Sequence, residues 1–118
     1  STFHGVEGPY PDEKMAWDLL TAAHHLAGQI PILIMNEPIL ISHGKNSEIR
    51  YNFYYPRQAY DVWRESLLET CRSNHWPVLD VWNVLPTSDF TNSAIHYDAN
   101  GAEKLAKLLS DAMESIFN

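Results

Sequence analysis

The chain of 118 residues has one cysteine, Cys71, and only eight lysines and arginines against fifteen aspartates and glutamates, for a formal charge of −7. A single thiol excludes an intrachain disulfide framework, a zinc knuckle and a Cys-x-x-Cys redox pair, and it is compatible with any compartment. The few bases are scattered from Lys14 to Lys107, so the basic stripe that phosphate backbones require is missing and no nucleic acid is expected as a partner. Long apolar runs are lacking too. The longest, Ile30 to Met35, is far short of the ~20 residues that cross a bilayer, and no membrane segment is expected. Ser1 to Pro11 is polar, with Gly5 and Gly8 and no apolar stretch of the signal-peptide kind. Glycine is sparse, and no glycine-rich loop joins a strand to a helix, so no nucleotide cofactor is expected; nor is a metal, because the adjacent His24 and His25 point about 100° apart on a helix.

What is present is enough for one core. Apolar residues make up 45% of the chain, with four Trp, six Tyr and four Phe among them. A single domain of this size buries about 65% of its unfolded surface without covalent staples. Residues 1–11 read as an N-terminal arm and residues 12–118 as the folded part.

Periodicity orders the elements. Met15, Leu19, Ala22, Ala23 and Leu26 recur at helical spacing before Gly28, predicting a helix over 12–27 with this stripe turned inward. Ile30 to Met35 is a β-branched run without polar alternation, which predicts a strand covered on both faces. Ile39 to Tyr55 is a long connection, and its aromatics Tyr51, Phe53, Tyr54 and Tyr55 predict that it is ordered. Pro56 opens a second helix over 57–74 with Tyr60, Trp63, Leu67, Leu68 and Cys71 on one face. A short strand, Val78 to Trp82, precedes a polar loop over 83–97. Asp98 then caps a last helix over 99–117 with Leu105, Leu108, Leu109, Ala112, Met113 and Ile116 as its apolar stripe. Strands alternating with helices of this length predict an α/β fold, about two parallel strands and three helices in part of a three-layer α/β/α arrangement, with ligands at the carboxyl ends of the strands.

Those ends are Asn36-Glu37-Pro38 and the loop that runs to His96. The densest constellation is Phe90-Thr91-Asn92-Ser93-Ala94-Ile95-His96-Tyr97-Asp98, followed by Gly101 early in the last helix. A neutral imidazole just before a helix start, on the loop leaving a parallel strand, is placed to act as a general base if an upstream group orients it.

This block resembles the C-terminal block of SGNH (GDSL-type) hydrolases, in which an acid and a histidine precede a last helix carrying an early glycine. Asn46 to Asn52, Tyr55 to Tyr60 and Phe90 to His96 together are similar to bacterial SGNH-like and DltD-like proteins, and the resemblance covers residues 12–118. It implies a flavodoxin-like SGNH fold and a C-terminal segment of an ester hydrolase or acyltransferase, acting on a small acyl ester or an acylated glycan, with His96 as the catalytic base. Asn92 or Ser93 stands where the family has its orienting acid. The Gly-Asp-Ser nucleophile block is absent from the 118 residues, so the resemblance implies a site completed by a missing N-terminal half and a chain inactive alone. Asp89 and Asp98 are the nearby carboxylates that could replace the acid, with Asp98 better suited to capping.

Each candidate has a plainer reading. His96 can be a loop histidine bonded to backbone, and Asn92 and Ser93 ordinary turn residues. Glu37 is a candidate substrate contact or an exposed turn acid; Arg50 meets an anionic substrate group or is a salt-bridged surface residue. Ser42 and Lys45 match a Ser-x-x-Lys string, but Gly44 argues against the helix this chemistry needs. The competing functional class is a non-catalytic α/β module that binds a partner or self-associates as a homo-oligomer, since two parallel strands alone leave edges to be covered.

Overall fold

The computed structural model describes residues 15–118; the predicted arm, and the first residues of the predicted first helix, lie outside the described residues. The order is α1 (Trp17–Ala27), β1 (Ile34–Asn36), α2 (Arg57–Ser73), β2 (Val78–Asp80) and α3 (Ala99–Phe117), with a 3₁₀ turn at Thr87–Asp89. β1 and β2 pair in parallel, Ile34 with Val78 and Asn36 with Asp80, and α2 is the crossover between them. Among the described residues this is a small α/β fold with three helices and one two-stranded parallel sheet.

The strands are shorter than their apolar runs. Ile30 turns back onto α1, its amide donating to the Ala27 carbonyl, and it is exposed rather than paired. Pairing starts only where β2 offers a partner, with the Ile34 amide donating to Pro77 at 3.0 Å. Past the regular ladder the Val81 amide still donates to Asn36 and the Ile39 amide to Trp82. The expectation of a strand covered on both faces needs correction, because Ile34, Met35 and all of β2 are only half-buried.

α1 also corrects the sequence reading. Leu19 and Leu26, assigned to the inward stripe, are 70% and 85% exposed. The side that packs carries Trp17, whose Nε1 donates to Ser66 Oγ at 3.2 Å and whose ring stacks 6.2 Å from Trp63, and His24, stacked on Trp76 at 4.1 Å. Both faces of this helix are apolar enough to be the inner one, and the larger ring surfaces of Trp17 and His24 take the contact with α2 and its C-terminal turn. Gly28 ends the helix at φ 60°, a backbone conformation that disfavours a side chain, with its amide donating to His24.

α2 begins at Pro56 as predicted and buries Tyr60, Leu67 and Cys71. The long connection over 37–56 is ordered and supplies much of the core: Ile39 and Tyr51 join Tyr60, with Ile41, Tyr55, Trp63 and Trp82 packed around them. Buried Asn52 organises its aromatic end, since Nδ2 donates to the Leu40 carbonyl at 2.8 Å while Oδ1 accepts from the amides of Tyr54 and Tyr55. Asn46 takes a positive φ of 66° in the turn before it, a conformation asparagine tolerates better than most residues.

α3 spans the predicted residues, and Asp98 caps it by accepting from the Gly101 amide at 2.9 Å. It meets the 3₁₀ turn through Gly101, whose Cα faces Tyr97, Leu85 and Asp89 so closely that no side chain fits between them. Leu105 is buried one turn later. Beyond it the expected stripe is covered only in part: Leu109 and Ala112 are half-buried, whereas Leu108, Met113 and Ile116 are exposed. Among the described residues no helix is long and apolar enough to cross a membrane.

Candidate functional site

Parallel pairing brings the carboxyl ends of both strands together, and Asn36 lies beside Asp80 in register. Asn36 is buried, and its Nδ2 donates to Asp80 Oδ1 at 3.0 Å and to Tyr60 Oη at 3.2 Å. Arg64, one helical turn beyond Tyr60 on α2, donates through Nε to Asp80 Oδ2 at 2.9 Å and through Nη2 to the same oxygen. Its guanidinium lies over the Trp82 ring, 5.2 Å from the centroid. Asp80 is therefore neutralised by a fork of donors, and its hydrogen bonds push the Arg64 pKa up. Tyr60 is pushed up to about 12, first by burial and then by the negative charge of Asp80, against a lowering contribution from its bond with Asn36.

Against this network lies a cavity of about 340 Å³, lined by Asn36, Glu37 and Ile39 from the end of β1, by Tyr55, Tyr60 and Trp63, and by Ile95. Glu37 is exposed. Its charge reaches Tyr97, whose pKa is raised by burial first and by Glu37 second.

The loop carrying His96 is closed on itself. Phe90 and Tyr97 bridge antiparallel, and the Thr91 amide and hydroxyl donate to the His96 carbonyl at 2.9 and 3.2 Å. It is tied to the long connection by the Leu40 amide, which donates to the Ala94 carbonyl at 2.8 Å. Ala94 is thereby buried, Ile95 faces the cavity, and His96 projects outward, exposed. Its ring makes no hydrogen bond with a described residue. Asn92 Oδ1 accepts from the Thr91 hydroxyl at 3.4 Å, and Ser93 Oγ accepts from the Ile95 amide at 3.4 Å; neither is bonded to the His96 ring.

The two nearby carboxylates are engaged elsewhere. Asp98 caps α3, and buried Asp89 accepts from Lys104 Nζ at 2.7 Å. This ion pair joins the Asp89 carboxylate to α3. Arg50 is half-buried on the long connection, its guanidinium 5.8 Å from the Phe53 ring, and it does not line the cavity. Asn92 and Ser93 line a separate depression with Phe53 and Tyr54. Of the residues singled out from sequence, then, Glu37 and the neighbour of His96 share one cavity, Arg50 and Asn92 do not line it, and Ser93 lies in an adjoining depression with Tyr55 and Ile95.

The Asn36, Asp80, Tyr60 and Arg64 network was not singled out from sequence. The available signal is a polar residue ending each of two apolar runs, Asn36 and Asp80, which parallel pairing sets side by side. Among the described residues no group of three or more His, Cys, Asp or Glu is placed to hold a metal ion. No protein-family model, no curated protein and no solved structure matches this chain.

Proposed function

We propose that this chain contributes the histidine side of an acyl-transfer site of the SGNH type, with the nucleophilic serine supplied from outside these 118 residues. The observation that supports this reading most is the placement of the Phe90 to Tyr97 loop. It is pinned beside the carboxyl ends of two parallel strands, with Ile95 on a cavity shared with Glu37 and the His96 ring open to whatever completes the site.

In this reading a serine hydroxyl attacks an ester carbonyl and passes its proton to neutral His96. The tetrahedral adduct collapses, the alkoxide leaves with the proton returned by the imidazolium, and water or an acceptor alcohol then releases the acyl group by the same proton path. Asn92 or Ser93 orients the imidazole once the site is assembled, Glu37 contacts the substrate from the cavity wall, and Arg50, outside the cavity, meets only a part of the substrate that extends beyond it. An amide in place of the acid holds the ring without stabilising imidazolium, which in a serine triad lowers the rate by about 10⁴.

The test is turnover of p-nitrophenyl esters by the full product of the gene. Hydrolysis reduced about a thousandfold or more by His96→Ala, with the far-ultraviolet spectrum unchanged, is expected. Turnover indifferent to His96→Ala, or none with acetyl to octanoyl esters, overturns the proposal.

A second reading is favoured by one observation, the exposed Leu19 and Leu26 of α1 and Leu108, Met113 and Ile116 of α3. These faces suit a non-catalytic module that self-associates, because a second copy could cover the exposed apolar residues of each helix. Light scattering across concentration separates the two: a stable homo-oligomer without ester turnover supports the second reading, and a monomer with turnover sinks it.

A further inference from the structure

We infer that the cavity at the carboxyl end of β1 binds an organic cation with an apolar body, an alkyl- or arylammonium, with Glu37 as its counter-charge and Tyr55, Tyr60 and Trp63 as its aromatic wall. This stands on the cavity alone, whether or not the chain belongs to an acyl-transfer enzyme.

The composition of the wall comes first. Besides Glu37 and Asn36, the lining is Ile39, Tyr55, Pro56, Ala59, Tyr60, Trp63 and Ile95, and no lysine or arginine is part of it. The three aromatic rings are mutually inclined: Tyr55 and Tyr60 meet at 76° with centroids 5.6 Å apart, and Tyr60 and Trp63 at 39°, also 5.6 Å apart. An aromatic wall attracts cations through the electron-rich faces of its rings, and quaternary and alkylated ammonium groups gain most because they carry little hydration to lose.

Hydrogen-bonding capacity narrows the ligand further. The Asn36 amide is committed, its Nδ2 to Tyr60 and Asp80 and its Oδ1 to the Tyr60 hydroxyl. Arg64, the nearest α2 cation to this network, is held by Asp80. Glu37 forms no ion pair with a described residue, so it is the uncompensated charge on the cavity wall. An anion would meet that carboxylate and the chain's net charge of −7, whereas a cation is drawn by both. At ~30 Å³ per water-sized group, the 340 Å³ volume takes a ligand of about eleven non-hydrogen atoms.

Benzyltrimethylammonium has this size and charge and is the probe for the test. It is titrated by calorimetry at fixed ionic strength, with 3-phenylpropanol as the neutral control and phenylacetate as the anionic one. Methyl shifts of Ile39, Ala59 and Ile95 locate the site. The cation is expected to bind about tenfold more tightly than the neutral alcohol, with phenylacetate weakest. Glu37→Gln, a change at an exposed position, is expected to remove about that tenfold preference and leave phenylpropanol unaffected; Tyr55→Leu is expected to weaken the cation severalfold. Equal affinity for the cation and the neutral alcohol, no shift at these methyls up to about 20 mM, or a cation affinity unchanged by Glu37→Gln overturns the inference. None of these measurements uses ester turnover, so they fail or succeed separately from the acyl-transfer proposal.

Discussion

Asn36 and Asp80 occupy the same rung of the parallel pair and are joined by a 3.0 Å hydrogen bond from Asn36 Nδ2 to Asp80 Oδ1. The bond links the ends of the two strands, while Arg64 and Tyr60 anchor the same carboxylate and amide to α2. Asp80→Ala removes the partner of both Asn36 and Arg64 and leaves a guanidinium over Trp82 without a counter-ion. A loss of about 2 kcal/mol in urea unfolding is expected, held to that size because the Arg64 and Asp80 side chains are partly solvated. Asp80→Asn keeps the bond to Asn36 and is expected to lose less. Equal stability of Asp80→Ala and the parent chain contradicts a role for the network in holding the strand ends.

Gly101 lies within α3, where alanine ordinarily adds up to about 1 kcal/mol of stability. Here the sign is expected to reverse. A Cβ at this position would come 2.9 Å from Tyr97 Cβ, 3.2 Å from Leu85 Cδ1 and 3.3 Å from Asp89 Cβ. Tyr97 Cβ is the root of its side chain and cannot swing aside, so the helix or the 3₁₀ turn must move. Gly101→Ala is expected to cost about 1–3 kcal/mol, measured by thermal or urea unfolding, and a stabilised variant refutes this packing.

Asp98 accepts from the amide at the third position of α3, the bond that satisfies an otherwise orphaned helix donor. Asp98→Ala is expected to cost about 1 kcal/mol and to speed amide exchange in the first turn of α3, with Asp98→Asn close to neutral. The same variant separates capping from catalysis: if Asp98 serves only the helix, ester turnover by the full gene product changes no more than folding stability does.

Tyr51 and Tyr60 are pushed up from 10.0 to about 12. For Tyr51 burial acts first, then the 2.5 Å bond its hydroxyl donates to Asp61 Oδ1, then the charge of that carboxylate. A phenol whose folded pKa exceeds its unfolded one holds more protons in the native state between the two values. The stability it contributes is whole below pH 10 and is lost as pH rises from 10 to 12. Near-ultraviolet titration is expected to show Tyr51 and Tyr60 ionising last in the folded chain, with Tyr97 also displaced upward, and Tyr51→Phe to remove one of the late steps and flatten the alkaline loss of stability. Uniform ionisation of all tyrosines near pH 10.0 goes against this arrangement.

Elements bounded by local chemistry were legible in the sequence. Pro56 and Asp98 set the starts of α2 and α3 through their own backbone and side-chain bonds, and both helices begin where those residues place them. β1 was not so legible, because Ile30 to Leu33 look like the rest of the run and only the offset of Val78 fixes where pairing begins. The inward face of α1 was misread for a related reason. Leu19 and Leu26 have the right spacing, but the choice between two apolar faces belongs to Trp63, Ser66 and Trp76, residues distant in sequence. At the candidate site, the loop around His96 stands out as a string of residues, whereas the cavity of Glu37, Tyr55, Trp63 and Ile95 exists only once three separate stretches of chain meet.

The crossover also constrains the order in which the chain can assemble. The bond between Asn36 and Asp80 spans 44 positions, and closing a segment of that length early costs entropy that one short ladder cannot repay. α2, inside that segment, forms from local bonds and already carries Tyr60 and Arg64, the two groups that receive the strand ends. Folding is therefore expected to run helix first and sheet last, with substitutions in α2 slowing folding and those at Asn36 chiefly speeding unfolding.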